Sequence, residues 1–258
     1  MQNVLNKLTK TRYGQMIYNK NDELIGRSLE EYGEWMQAEM AFLTPYIPEG
    51  GVCVDVGSYI GTHALFFADA VGPKGIVIAF EPEQIMYQLL SANIALNHHV
   101  NIRAFNCAVD ETSGLVQITD MNYREPNNFA GATINRFVGY PVEARTIDDC
   151  SVPSVDLIKV DIGGCEPEAI MSAAQTIRMH QPYLYVRHLP FDQSSDLVQL
   201  IQSYDYDVYE HKVSGFNPKN FKKRTSDFLQ DYEETNLFCV PKSKELMVDE
   251  LTLIPEAN

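Results

Sequence analysis

Positive charge is scarce in this chain. Only 20 lysines and arginines stand against 35 aspartates and glutamates, a net charge of −15 over 258 residues. Such a field repels a phosphate backbone or an anionic bilayer, so the expected partners include neither nucleic acid nor membrane. No apolar run approaches the roughly 18 residues that cross a bilayer. The stretch from Met1 to Asn19 also lacks the apolar core of a signal peptide, so the expected location is cytoplasmic. Cysteine is sparse and odd in number: Cys53, Cys107, Cys150, Cys165 and Cys239 show no Cys-x-x-Cys spacing. Three of them lie in apolar, strand-like runs, which predicts buried reduced thiols rather than disulfides or zinc ligands. Lys219, Lys222, Lys223 and Arg224 form one basic cluster, expected to be a solvated loop. The dinucleotide fingerprint Gly-x-Gly-x-x-Gly is missing as well.

What is present suits one large α/β domain: hydrophobic residues at 45% and charged residues at 21% are ordinary for a globular chain. The most informative stretch is 52–63, Val-Cys-Val-Asp-Val-Gly-Ser-Tyr-Ile-Gly-Thr-His. Its β-branched residues predict a buried strand, Gly57 and Gly61 a tight turn open to ligand approach, and the helix after it a start rich in free N–H groups. Further strands are expected at 75–82, 101–109, 114–121, 156–162, 183–189, 206–211 and 236–241. Helices are expected at 83–96, with Ile85, Leu89, Ala92 and Leu96 on one face, at 166–179, with Ile170, Ala173, Ala174 and Ile177 inward, and at 193–203. Residues 122–139 read as a long irregular loop suited to binding.

Strand–helix alternation of this kind requires a mainly parallel sheet with helices on both faces. Ligands then bind beyond the carboxyl ends of the strands, here Gly57, Glu81, Val109, Asp161 and Arg187. Residues 1–47 precede the sheet as a hairpin and helical element, and 48–258 form the main domain. Ser28-x-x-Glu31 is a possible capping box, opening a helix with Leu29, Tyr32, Trp35, Met36 and Leu43 on one side. That element either packs across a sheet edge or serves as a lid.

The turn discriminates between cofactors. A pyrophosphate needs close main-chain approach at a middle glycine, and Tyr59 stands there. S-adenosylmethionine (SAM) has no phosphate and carries a sulfonium, which suits the acidic strand holding Asp55 and the relaxed Gly57-x-x-x-Gly61 turn. Glu81, at the next strand's end, is placed to accept two ribose hydroxyls. The pattern favours SAM over a nicotinamide cofactor.

The segment Val-Asp55-Val-Gly-Ser-Tyr-Ile-Gly61-Thr-His63, then Ala-Phe-Glu81-Pro82, Asn93-x-x-x-Asn97 and Leu157-Ile-Lys-Val-Asp161 together resemble the FkbM-type SAM-dependent methyltransferases. Tyr18-Asn-x-x-Asp22, Gly26-Arg-Ser-Leu-x-x-Tyr-Gly-x-Trp35 and Phe216-Asn-Pro-x-Asn-Phe221 extend the resemblance along nearly the whole chain. It implies a Rossmann-like sheet with an antiparallel last strand and O-methylation of a small-molecule or sugar acceptor. Asp55, Gly57, Ser58, Tyr59, Gly61, Thr62, His63, Glu81, Pro82, Ala108 and Val109 would line the SAM site. His63 reads as a cap or pocket wall rather than a base.

The pattern departs from the family on the acceptor side. Gly163 stands where relatives carry a carboxylate, and Arg187-His188-Leu189 replaces an acidic run. Asp161, Glu166 and a newly placed His188 are then the candidate catalytic groups, and no metal site is expected. Arg187 is expected to pair with Asp161 or Glu166, or to hold an anionic acceptor. A non-catalytic SAM-binding protein is the alternative, and a nicotinamide-dependent oxidoreductase is disfavoured.

Overall fold

The computed structural model describes residues 4–131, 134, 138–150, 152, 154–189, 194–247 and 251–256. The chain opens with a hairpin, β1 (Asn6–Thr11) and β2 (Gly14–Asn19), then α1 (Ile25–Glu31) and α2 (Gln37–Leu43). The alternating part follows as β3 (Val52–Val56), α3 (Thr62–Val71), β4 (Ile76–Phe80), α4 (Gln84–Leu96) and β5 (Ile102–Phe105). Three short strands come next: β6 (Ala108–Val109), β7 (Gly114–Ile118) and β8 (Tyr140–Arg145). Then come β9 (Leu157–Val160), α5 (Glu166–Ser172), α6 (Ala174–His180), β10 (Tyr183–Arg187) and α7 (Ser194–Gln202). The described chain ends with β11 (Tyr206–Ser214), β12 (Glu233–Pro241) and β13 (Thr252–Ile254).

Among the described residues the main sheet runs β13-β11-β12-β10-β9-β3-β4-β5. Strands β10, β9, β3, β4 and β5 are mutually parallel, and β12 runs antiparallel to β10 and β11. The expected Rossmann-like sheet with an antiparallel late strand is therefore the architecture, with β13 added at the edge. Strand order reverses between β3 and β9, which puts a crevice at their carboxyl ends.

Both faces of the parallel strands are covered, as their continuous apolar runs require. Val54, Val56, Ile78, Ile158, Val160 and Val186 pack with Ile170, Ile177 and Ile201 of α5, α6 and α7. Cys53, Val77, Leu157, Tyr185 and Phe238 pack with Phe67 and Val71 of α3 and with Tyr46. Among the described residues no disulfide joins the five cysteines, and Cys53, Cys107 and Cys239 are buried.

Several elements differ from the sequence expectation. The run 101–109 is two strands: β5 stays in the main sheet, while β6 pairs with β8 in a separate sheet ordered β6-β8-β7. The side chain of Asn106 marks the exit, donating to the carbonyls of Glu81 and Pro82. The run 166–179 breaks at Ala173 into two helices, and Ala174 is only partly buried. Gln193, the expected start of the next helix, lies outside the described residues, as do several positions of the 122–139 loop. On α4 the buried face is Met86, Leu89, Leu90 and Asn93, while Ile85 is exposed.

Asn93 is the reason for that rotation. Its amide accepts from Ile17 N–H at 2.6 Å and donates to the carbonyls of Ile17 and Ile60. One turn later Asn97 accepts from Gln15 N–H and donates to Gln15 C=O. The two amides thus satisfy the outer edge of β2, as a neighbouring strand would. The N-terminal element accordingly shares a core with the body: Met16, Tyr18, Leu29, Tyr32, Trp35 and Met40 pack with Tyr59, Ile60, Leu65, Met86 and Leu89.

The capping box does not form. Ser28 sits inside α1 and donates to Glu34 C=O, while Asp22 accepts from the N–H groups of Leu24 and Gly26 at the helix start. The basic cluster also differs. Lys222 is tied down, its Nζ donating to Thr9 Oγ1 and to the carbonyls of Leu29 and Glu30 at the end of α1. Lys219, Lys223 and Arg224 are exposed.

Candidate functional site

A cleft opens where β3, β4 and β9 end. Its floor is the turn after β3. Gly57 has φ +84°, and a Cβ there would lie 2.1 Å from the carbonyl oxygen of Asp161. The close approach that demands glycine is therefore to the chain's own backbone. Gly61, at φ +98°, precedes the first residue of α3. Between them Tyr59 takes φ +51° and donates its N–H to Glu81 Oε2 at 2.8 Å.

Glu81 is 6% exposed, and its Oε1 accepts from Glu83 N–H. Burial pushes its carboxyl up to about 8, against those two backbone hydrogen bonds. Each oxygen of the ionised carboxylate keeps a second lone pair, and Glu81 lines the cleft. Phe80, Pro82, Cys107, Ala108, Val109, Ile118 and Phe129 complete an apolar half around it.

The other half is polar. His63, Lys159, Asp161, Thr62 and Trp35 line it. Lys159 is buried mid-strand and 3.6 Å from Asp161 Oδ2. Burial opposes its charge, but Asp161, Glu39, Asp55 and Glu234 hold the ammonium protonated above its ordinary range. Burial likewise opposes the charge of Asp161, yet Lys159, Arg187 and His63 keep its carboxyl below the usual range. Its side chain is 40% exposed. Behind it Arg187 pairs with Glu234, and burial with the charge of Asp161 pushes the Glu234 carboxyl up to about 7. Glu39 of α2 is buried, with Oε1 2.9 Å from His63 Nε2. Neither atom makes an aligned hydrogen bond.

Of the residues expected at the cofactor site, Gly57, Ser58, Tyr59, Thr62, His63, Glu81, Pro82, Ala108 and Val109 line this one cleft. Asp55 and Gly61 do not. Strand alternation turns Asp55 to the covered face beside Lys159, where it is fully buried and neither carboxylate oxygen has a hydrogen-bond partner. Among the candidate catalytic groups only Asp161 reaches the cleft. Glu166 spends both oxygens on the N–H groups of Ile162 and Gly164, holding the loop after β9. His188 lies past the end of β10, one strand farther out, with its N–H on Thr235 C=O. Arg187, expected against Asp161 or Glu166 or on an anionic acceptor, has its ion pair with Glu234, while its charge also acts on Asp161.

Sequence reasoning missed Trp35, Glu39, Lys159 and Glu234. A lysine inside an otherwise apolar strand was the available signal, because a buried cation requires buried carboxylates nearby. Above the cleft the upstream and downstream motifs meet. Glu34 accepts from Arg12 Nε, Asn217 Nδ2 and Phe221 N–H. Asp22 accepts from Tyr59 Oη at 2.8 Å.

The fold and the crevice at its switch point define the Rossmann-like methyltransferase class. A solved SAM-dependent O-methyltransferase from Thermotoga maritima aligns with 93% of this chain and 79% of its own, at TM-score 0.50 and 14% identity. The family described as the methyltransferase FkbM domain matches residues 55–208, more than half of the sequence, and the chain belongs to that family. It is similar to methyltransferase sdnD of Sordaria araneosa, 31% identical over 158 residues. That match covers 48% of this chain and 61% of sdnD, so it spans about three-fifths of that relative's length. A solved FkbM methyltransferase from Methylobacillus flagellatus aligns over 74% of this chain and 44% of its own, at 19% identity and TM-score 0.47. Among the described residues no helix is long and apolar enough to cross a membrane.

Proposed function

We propose that the protein is a SAM-dependent O-methyltransferase acting on a hydroxyl of a small molecule or sugar. The observation that carries this reading is Glu81: a buried carboxylate at the end of β4, facing the cleft beside the Gly57 turn. The residues present fit the cofactor. Glu81 offers its remaining lone pairs to two ribose hydroxyls, Ala108, Val109 and Phe129 offer apolar walls to an adenine, and Asp161 offers an ionised carboxylate to the cationic end. When bound, SAM supplies an electrophilic methyl group whose transfer to a hydroxyl releases S-adenosylhomocysteine and one proton. The chain's own part is positioning, which supplies much of the acceleration in an in-line displacement.

Ile25 and Trp35 of the N-terminal element reach the cleft from above. This favours residues 1–47 acting as a cover that excludes water from the reacting atoms rather than as an edge brace. The family, and the O-methyltransferase with the same fold, support the reaction class. The test is calorimetric titration with SAM, followed by transfer of labelled methyl from SAM to a panel of sugars and hydroxylated small molecules. SAM binding that is unchanged in Glu81→Ala would sink the role given to Glu81. Tight SAM binding with no transfer across the panel would favour a binding protein that has lost its acceptor chemistry.

A further inference from the structure

The geometry points to His63 as the base that takes the acceptor's hydroxyl proton, with Glu39 as the residue that positions it. This rests on the methyl-transfer reading and adds the proton's destination, which that reading leaves open.

The acceptor end of the cleft offers few alternatives. Glu166 is committed to two backbone N–H groups, and His188 does not line the cleft. Asp161 does, but Lys159, Arg187 and His63 hold it ionised, and a carboxylate so stabilised is a poor acceptor for a hydroxyl proton. His63 lines the cleft from the second residue of α3. Its Nε2 faces the buried Glu39 carboxylate, and its Nδ1 has no hydrogen-bond partner among the described residues. As the acceptor oxygen gains the methyl group, its O–H bond breaks and the proton passes to Nδ1. The imidazolium so formed faces Glu39, which has no aligned hydrogen bond of its own at Oε1 to lose.

The charged groups facing His63 are Glu39 on α2 and Asp161 on β9; Lys159, Arg187 and Glu234 lie beyond them, around Asp161.

The experiment compares the wild type, His63→Gln and Glu39→Gln. Turnover is measured from pH 5 to 9, SAM affinity by calorimetry, and the histidine ring titrations by NMR on the cofactor-free protein. His63→Gln is expected to lower turnover about 10²–10⁴-fold and abolish the acidic limb of the profile, with SAM affinity within about twofold of wild type. Glu39→Gln is expected to move both that limb and the His63 ring midpoint to lower pH. An acidic limb that survives His63→Gln overturns the base role and assigns the limb to another group, Glu234 first. A loss of SAM affinity matching the loss of rate makes His63 a cofactor contact instead. An unmoved His63 midpoint in Glu39→Gln overturns the pairing even without an acceptor. If His63→Gln does not fold, the Glu39→Gln limb and midpoint carry the test. A wild type that binds SAM but methylates nothing overturns the transfer reading, and the base role with it.

Discussion

Replacing Glu81 by glutamine is expected to strengthen the empty protein at alkaline pH while weakening its hold on SAM. Below about pH 4.5 the Glu81 carboxyl is neutral in both the folded and unfolded chain and carries no penalty. As pH rises the unfolded carboxyl ionises first, whereas the folded one resists until about 8, so stability falls across that window. A displacement from 4.5 to about 8 is worth roughly 5 kcal/mol at 1.36 kcal/mol per pH unit, reached only above the upper value. Glutamine removes that opposition, but it has one acceptor oxygen where two backbone N–H groups, of Tyr59 and Glu83, now find partners. Leaving one unsatisfied costs about 1–3 kcal/mol. The net gain is about 2–4 kcal/mol at pH 8.5, on the order of 10 °C in Tm for a chain of this length, and close to zero or negative at pH 5. Urea unfolding without ligand at the two pH values measures it, with equal m-values as the control for two-state behaviour. A Glu81→Gln variant no more stable than wild type at pH 8.5 would refute the account of an opposed, buried charge. SAM affinity in the same variant should fall about 10–100-fold, the worth of charge-assisted hydrogen bonds.

Three other perturbations are expected to separate the parts of the site. Tyr59→Phe removes the hydroxyl that joins the glycine turn to Asp22; at about 1.5–3 kcal/mol for a hydrogen bond to a charge, amides of residues 22–29 should exchange roughly 10–150-fold faster. Unchanged exchange there would show that the turn does not hold the N-terminal element. Asn93→Ala strands two groups of Ile17 and the carbonyl of Ile60, and denaturant unfolding should show a loss of about 2–4 kcal/mol. Gly57→Ala drives a Cβ into the Asp161 backbone, so the protein should be recovered poorly soluble or with Tm lowered by more than about 8 °C; a normal melting curve would contradict the geometry of the turn.

Much of the sheet was legible because buried parallel strands are written as nearly continuous apolar runs: 76–80 is unbroken, and 52–56 and 157–160 are each interrupted by one charged residue, Asp55 and Lys159. Where sequence reasoning failed, a polar side chain was usually performing a structural task. Asn93 is not among the residues expected to face inward on α4 and is fully buried, which rotates the buried face of that helix. Asn106 ends β5 by holding the Glu81–Pro82 carbonyls, a contact between strands that no local pattern announces. The cofactor half of the cleft comes from consecutive segments after β3 and β4 and was mostly visible. The polar half draws Glu39, His63, Lys159 and Glu234 from four distant segments, and only the fold brings them together.

The docking of β2 on α4 works like a vernier. Four residues of helix advance about 6.0 Å and two residues of strand about 6.8 Å, so the two scales nearly coincide over one interval and drift apart over the next. Asn93 and Asn97 occupy that single matching interval, opposite Ile17 and Gln15. A third rung would be displaced by more than hydrogen-bond geometry tolerates, and a hairpin slipped by two residues would keep only one amide in place. The hairpin therefore has one reading on the helix. Because Asn93 also grips Ile60 in the glycine turn, that reading ties the position of the N-terminal element to the floor of the cleft.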